Sequence, residues 1–160
     1  MQPSYVDGKL YWMVDPKSSA ARCELVALDI GTREFEVLPG PPCNNDRPIM
    51  SIVEFQGNIC ILSSDSIANA IDVWTLRGGL WSIWYRIELR GHEHMYSSHE
   101  TTLLALDPKD GRILLSTGRA LGYYDPKTMA LQTIYHLGEH LRGMEFAPAL
   151  CHESLILPRT

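Results

Sequence analysis

The chain has 160 residues, 45% of them hydrophobic and 21% charged, which is the composition of a globular domain and not of a disordered tract. A globule of this length buries roughly 70% of its unfolded surface. With 14 Lys+Arg against 19 Asp+Glu the formal net charge is −5, which argues against nucleic acid and anionic membrane as partners, since both demand a basic face.

No apolar run reaches the ~18–20 residues of a membrane-spanning helix. Met1-Gln2-Pro3-Ser4-Tyr5 offers neither the charged nor the apolar part of a secretion signal. A cytoplasmic or nuclear location is therefore expected, with reduced thiols. The cysteines, Cys23, Cys43, Cys60 and Cys151, form no CxxC pair, so neither a redox motif nor a zinc ribbon is present. Cys23 and Cys60 lie in apolar surroundings and read as small hydrophobes.

Along the chain the dominant period is two, the signature of half-buried strands. After the Asp7-Gly8 turn, Leu10, Trp12 and Val14 share one face. A second strand enters a turn opened by Asp29. Segments 48–55 and 57–63 follow, separated by Gln56-Gly57-Asn58. The run 71–77 ends at Arg77-Gly78-Gly79, a two-glycine hairpin turn and not a phosphate loop, because no Lys-Ser/Thr ending or helix follows. In 81–89, Trp81, Ile83, Tyr85, Ile87 and Leu89 share one face, and Ser82, Trp84, Arg86 and Glu88 the other. Segment 100–107 leads to Asp110-Gly111, and the alternation resumes at Ile113, Leu115 and Thr117. It recurs at Leu131, Thr133, Tyr135 and Leu137. Only 139–146 carries anything like a helical stripe. Asp-Pro-Lys stands at 15–17, 107–109 and 125–127, where proline presets a turn and the aspartate bonds the amides that follow.

These elements repeat. Gly8-Lys-Leu-Tyr-Trp-Met-Val, Gly57-Asn-Ile-Cys-Ile-Leu-Ser and Gly111-Arg-Ile-Leu-Leu-Ser-Thr are three copies of one turn and strand. Phe35, Trp81 and Leu131 are equivalent, 46 and 50 residues apart. Each unit holds about four strands, the size of a β-propeller blade. The predicted fold is all-β, a partial propeller of about three blades built from four-stranded antiparallel sheets and filling 1–160, with repeats near 5–47, 48–95 and 96–147.

The phrases GKLYWMV, ELVALDIGTREFEVLPGPP, IVEFQGNICIL, IDVWTLRGGLWSIWYRIEL and DGRILLSTGRALGYYDPKTMALQTI, in this order, resemble the F-box associated domain of plant F-box proteins, a kelch-like β-propeller. The resemblance runs from about Tyr5 to Tyr135. It implies a substrate-recognition module of an SCF-type ubiquitin ligase, whose partners are a target protein for ubiquitination and, through an F-box, the cullin adaptor. No F-box precedes Tyr5, and three units do not close a ring of 4–8 blades. A fragment, a truncated product or half of an assembly is expected.

For chemistry, His92, His94 and His99 stand close together, and an H-x-H pair on a strand could seat zinc. The segment reads better as a polar connector with solvated histidines. No nucleophile turn of the G-x-S-x-G kind appears. Asp29, Asp107, Asp110 and Asp125 read as turn caps. Trp12, Trp74, Trp81, Phe35 and Tyr123 read as core between blades. Trp84, on the face of Arg86 and Glu88, packs against the next blade or serves as a binding anchor. The expected function is non-catalytic protein recognition, without cofactor or metal, through loops 39–48, 64–70 and 90–100. Asn44, Asn45, Asp46, Arg47, Trp84, His92 and His94 are the candidate contacts. The alternatives are a decoy or remnant lacking ligase recruitment, and a carbohydrate-binding propeller.

Overall fold

The computed structural model describes residues 3–14, 23–42 and 48–148. It is all-β, with twelve strands in three four-stranded antiparallel sheets, each a simple meander. Sheet 1 comprises β1 (Ser4–Val6), β2 (Lys9–Met13), β3 (Glu24–Asp29) and β4 (Phe35–Pro39). Sheet 2 comprises β5 (Ile49–Phe55), β6 (Asn58–Asp65), β7 (Ala70–Arg77) and β8 (Leu80–Glu88). Sheet 3 comprises β9 (Thr102–Leu106), β10 (Ile113–Ser116), β11 (Ala120–Tyr124) and β12 (Leu131–His136). The helix expected over 139–146 is reduced to one 3-10 turn, Glu139–Leu141. None of its residues is buried, so no packing supports a longer helix.

The turns follow from their residues. Asp7-Gly8 (φ 47° and 78°), Gln56-Gly57 (53° and 72°) and Gly78-Gly79 (58° and 78°) place both central residues in the left-handed region. That geometry matches the twist of the flanking strands. Three further hairpins, β3–β4, β9–β10 and β11–β12, share a wider turn. The backbone oxygens of Asp29, Asp107 and Asp125 accept from the amides of Arg33 (2.8 Å), Gly111 (2.9 Å) and Met129 (2.7 Å). Their Oδ1 atoms accept from Gly31, Lys109 and Lys127. Asp29 Oδ1 also accepts from the Thr32 amide, which above all holds its carboxyl below the usual range. The aspartates are turn caps, as the sequence suggests.

Packing is sheet on sheet. Ile52, Ile59 and Ile61 of sheet 2 meet Val6 and Leu25 of sheet 1. The opposite face of sheet 2, with Phe55, Cys60, Leu62, Val73 and Ile87, meets Leu103, Ile113, Leu115 and Tyr124 of sheet 3. Strand β6 is therefore buried on both sides. The first strands of the sheets lie against one another, β1 on β5 and β5 on β9. Ser4 Oγ donates to the Ile52 carbonyl (3.0 Å) across the first of these contacts.

Four expectations need correction. Trp74 and Trp81 pack between sheets 1 and 2, but Trp12 and Phe35 meet edge-on across the opposite, outward face of sheet 1. Tyr124, not Tyr123, is the core residue; Tyr123 points the other way, under the Arg112 guanidinium. The alternation over 81–89 is broken by a bulge. Trp74 pairs with Ile83 and Val73 with Tyr85, leaving Trp84 as the extra residue. Tyr85 and Ile87 thus face sheet 3, while Trp81 faces sheet 1. Lastly, Cys23 is disulfide-bonded and is not a reduced thiol.

Cys60 is free and buried, and burial pushes its thiol up to about 11. It should stay protonated and resist iodoacetamide at pH 8 in the native state, reacting only after denaturation, as peptide mass mapping would show. Met129 holds φ at 59°, the left-handed position that Gly111 fills in the equivalent turn. Replacing Met129 with Gly should raise stability by up to about 1 kcal/mol in urea denaturation, by removing the Cβ penalty. Gly111→Ala should lower it by a similar amount.

Candidate partner-binding surface

Two connections and the start of β5 meet beside the end of β6. Asn69 closes the β6–β7 hairpin in the left-handed region (φ 50°), which asparagine tolerates well. Its Nδ2 donates to the carbonyls of Leu89 (3.0 Å) and Tyr96 (3.1 Å). Its Oδ1 accepts from the Ser98 amide (2.9 Å), and its backbone oxygen from the Leu89 amide (2.9 Å). One side chain therefore holds the whole connector between sheets 2 and 3. Ser64 Oγ and Ser98 Oγ share a buried hydrogen bond of 2.7 Å. The Ser64 amide donates to the carbonyl of Pro48 (3.0 Å), the residue that leads into β5.

The connector 89–101 is a run of tight turns. The His92 amide donates to Leu89, and those of Met95 and Tyr96 to His92. The Thr101 amide and hydroxyl both donate to the Ser97 carbonyl. Tyr96 anchors it from below. Its ring is fully buried, its hydroxyl bonds Thr133 Oγ1 (3.0 Å), and burial raises its pKa. Gly122 is required beneath it, because a Cβ there would run into that hydroxyl.

A charged knot lies on the sheet-1 side of the same rim. Arg86 donates from Nη1 to Asp72 Oδ1 (2.8 Å), from Nη2 to Asp65 Oδ2 (2.9 Å) and from Nε to Glu88 Oε1 (3.0 Å). The bond to Asp65, more than the others, raises the guanidinium's pKa further above its usual value. Because β7 and β8 pair here and Asp65 ends β6, the knot ties three strands into one rigid edge.

The candidate residues sort as follows. Asn44, Asn45, Asp46 and Arg47 lie outside the described residues. His92 and His94 sit in the turns of the connector, His94 exposed and His92 half-buried, so strand geometry does not bring them to a common face. Among the described residues no group of three or more His, Cys, Asp or Glu could hold a metal ion. Trp84 is separated from these loops. It stacks on Tyr85 (5.2 Å between centroids), meets Phe55 edge-on (5.6 Å) and carries Arg77 at 5.0 Å. The bulge takes it off the face of Arg86 and Glu88, and it packs, partly buried, against the core shared with sheet 3.

Two residues were not evident from the sequence. Asn69 looks there like an ordinary turn residue. Ile67, at the tip of the β6–β7 hairpin, is 87% exposed. The one sequence signal for this corner is Ser63-Ser64-Asp65, a polar run ending an apolar strand.

No family model matches the sequence, and no curated protein matches it. Among the described residues no helix is long and apolar enough to cross a membrane.

Asn69→Gly keeps the left-handed turn unstrained but strips three hydrogen bonds from the buried ends of the connector. It should cost about 1–3 kcal/mol. Hydrogen exchange should show faster opening of the 90–101 amides, with the β6 and β7 amides unchanged relative to the global stability.

Proposed function

We propose that this chain is a non-catalytic protein-recognition module of the F-box associated, kelch-like propeller type, its three sheets serving as blades. The observation that carries this reading is the gathering of the connectors at Ser64 and Asn69. Loop 64–70 within sheet 2 and loop 90–100 between sheets 2 and 3 are joined by hydrogen bonds into one rim, and Pro48 at the start of β5 bonds the same corner. Function on loops held by a stiff β-frame is a common arrangement. The radial order of three meanders, first strands together, agrees with blades around an axis.

In this reading Ile67 is the apolar anchor, His92, Glu93 and His94 on the connector held by Asn69 supply polar contacts, and the frame behind them performs no chemistry. A protruding aliphatic tip within a polar rim suits a pocket on a protein partner. Partners of this kind are the targets that an SCF-type ubiquitin ligase presents for modification. The resemblance in sequence supplies that role, and the loop geometry is compatible with it.

The test has two arms. The tagged native protein is isolated with its partners under mild conditions, and each partner is purified for titration. A target bound through the rim should lose at least ~10-fold in affinity with Ile67→Glu, the loss expected of a central anchor. Leu80→Glu on the β7–β8 hairpin should leave the affinity unchanged. Equal binding by both variants would remove the rim from the proposal. The cullin adaptor in the native complex would support the ligase role; its absence would favour a binder without ligase recruitment.

A further inference from the structure

We propose that the outward face of sheet 1 is an interface, and that its occupant is sheet 3 of a second copy of this chain. Leu10 follows the turn glycine Gly8 by two positions, as Ile59 follows Gly57 and Ile113 follows Gly111. Trp12, Ile61 and Leu115 are equivalent in the same way. In sheets 2 and 3 these positions are closed to solvent: Ile59 is 7% exposed, and Ile61, Ile113 and Leu115 are 0%. What closes them is the forward face of the preceding four-stranded sheet.

Sheet 1 has no preceding sheet among the described residues. Strand pairing puts Leu10 beside Leu28 and then Phe35, and Trp12 beside Val26 and then Val37. Tyr5 joins the first row beside Leu10. The result is two continuous apolar rows ending in open solvent, with Tyr5 59%, Phe35 67% and Val37 63% exposed. Monomeric proteins rarely expose a contiguous apolar face of this kind.

The nature of the cover follows from the repeat. It is the forward face of a four-stranded sheet, and such a sheet takes 35 to 40 residues in this chain. The longest run outside the described residues, 149–160, has 12. The described residues of one copy supply no fourth sheet. One forward face in the described structure faces no other sheet, and it belongs to sheet 3. There Leu114, Leu121 and Tyr123 alternate with the core residues Ile113, Leu115, Ala120 and Tyr124, and so point away from sheet 2. Segment 137–146 turns back at the β10–β11 turn, where Arg119 binds the Leu141 and Met144 carbonyls and the Phe146 amide donates to Gly118. Phe146 packs edge-on against Tyr135, the β12 partner of Leu121, so the part of the face left for a second copy centres on Leu114 and Tyr123.

Sheet 3 of one copy on sheet 1 of the next continues the packing order already present within the chain. The contact is head-to-tail, and two copies satisfy both faces reciprocally, placing six sheets in one closed array. Six lies within the 4–8 sheets of known propellers. The interface rests on the equivalence of the faces and does not require the recognition role proposed above.

Mass measurement by light scattering on the purified full chain at micromolar concentration tests this. Twice the monomer mass is expected; a monomer would overturn the proposal. Phe35→Glu with Val37→Lys should give a folded monomer, and so should Leu114→Glu with Tyr123→Glu on sheet 3. Circular dichroism and tryptophan emission verify the fold. Leu80→Glu, away from both faces, should stay dimeric. Mixing the two monomeric variants should restore a heterodimer through the one intact sheet-1/sheet-3 contact. A sheet-3 variant that still dimerises alone would overturn the proposal in favour of a symmetric sheet-1 contact. No association on mixing would overturn it as well.

Discussion

A strand that is apolar in both phases of its alternation needs cover on both faces of its sheet. Strand β6 is such a strand. Ile59 and Ile61 turn to sheet 1, and Cys60 and Leu62 turn to sheet 3. Each fully buried aliphatic side chain contributes about 1.5–3 kcal/mol, so the two interfaces of sheet 2 supply much of what holds the described structure together. The order of the sheets follows directly. Sheet 2 has to lie between the others, and the first strands of the three sheets meet because the last strands splay outward with the sheet twist.

Double cover also removes water from the polar end of β6. Ser63, Ser64 and Asp65 and the neighbouring Asp72 are all buried, and a buried polar group without a partner is costly. The partners come from elsewhere in the chain. Trp74 Nε1 donates to Ser63 Oγ, Ser98 reaches Ser64, and Arg86 binds Asp65 and Asp72. These bonds fix the loops as a by-product of satisfying the core. A rim fixed in this way loses less conformational entropy on binding than free loops would.

The parts of the fold that were legible in the sequence were those governed by local chemistry. Period-two runs located all three sheets, and the Asp and Gly turns fell where left-handed residues were needed. Reading the faces failed where one residue was inserted. The bulge at Trp84 shifts the phase of β8, so Tyr85 and Ile87 turn opposite to Trp81. Nothing local announces such a bulge, because it answers to the packing of Tyr85 and Trp84 on Phe55 across the sheet. Trp12 and Phe35 were misplaced for a different reason. Their pattern is that of interior residues, and pattern alone cannot say whether the covering sheet is present. Asn69 was missed because its partners lie 20 to 29 residues away.

The outer strands and the outer faces are treated differently, and the contrast bears on how this chain meets others. An exposed strand edge invites pairing with any extended chain, and charges, prolines, bulges and short strands blunt it. All three outer strands carry such devices. Strand β4 has five residues and includes Glu36 and Pro39. Strand β8 is bulged at Trp84 and ends in the Arg86–Glu88 pair. Strand β12 is irregular where Leu121 and Gly122 pair with Tyr135 and Thr133. The outward face of sheet 1 has no comparable protection. Its two rows carry no charged residue between Tyr5 and Phe35 or between Trp12 and Val37. Edge pairing would be promiscuous, because backbone hydrogen bonds read no sequence. Face packing is selective, because side chains must interdigitate. A molecule that blunts its edges and leaves a face apolar is suited to sheet-on-sheet contact.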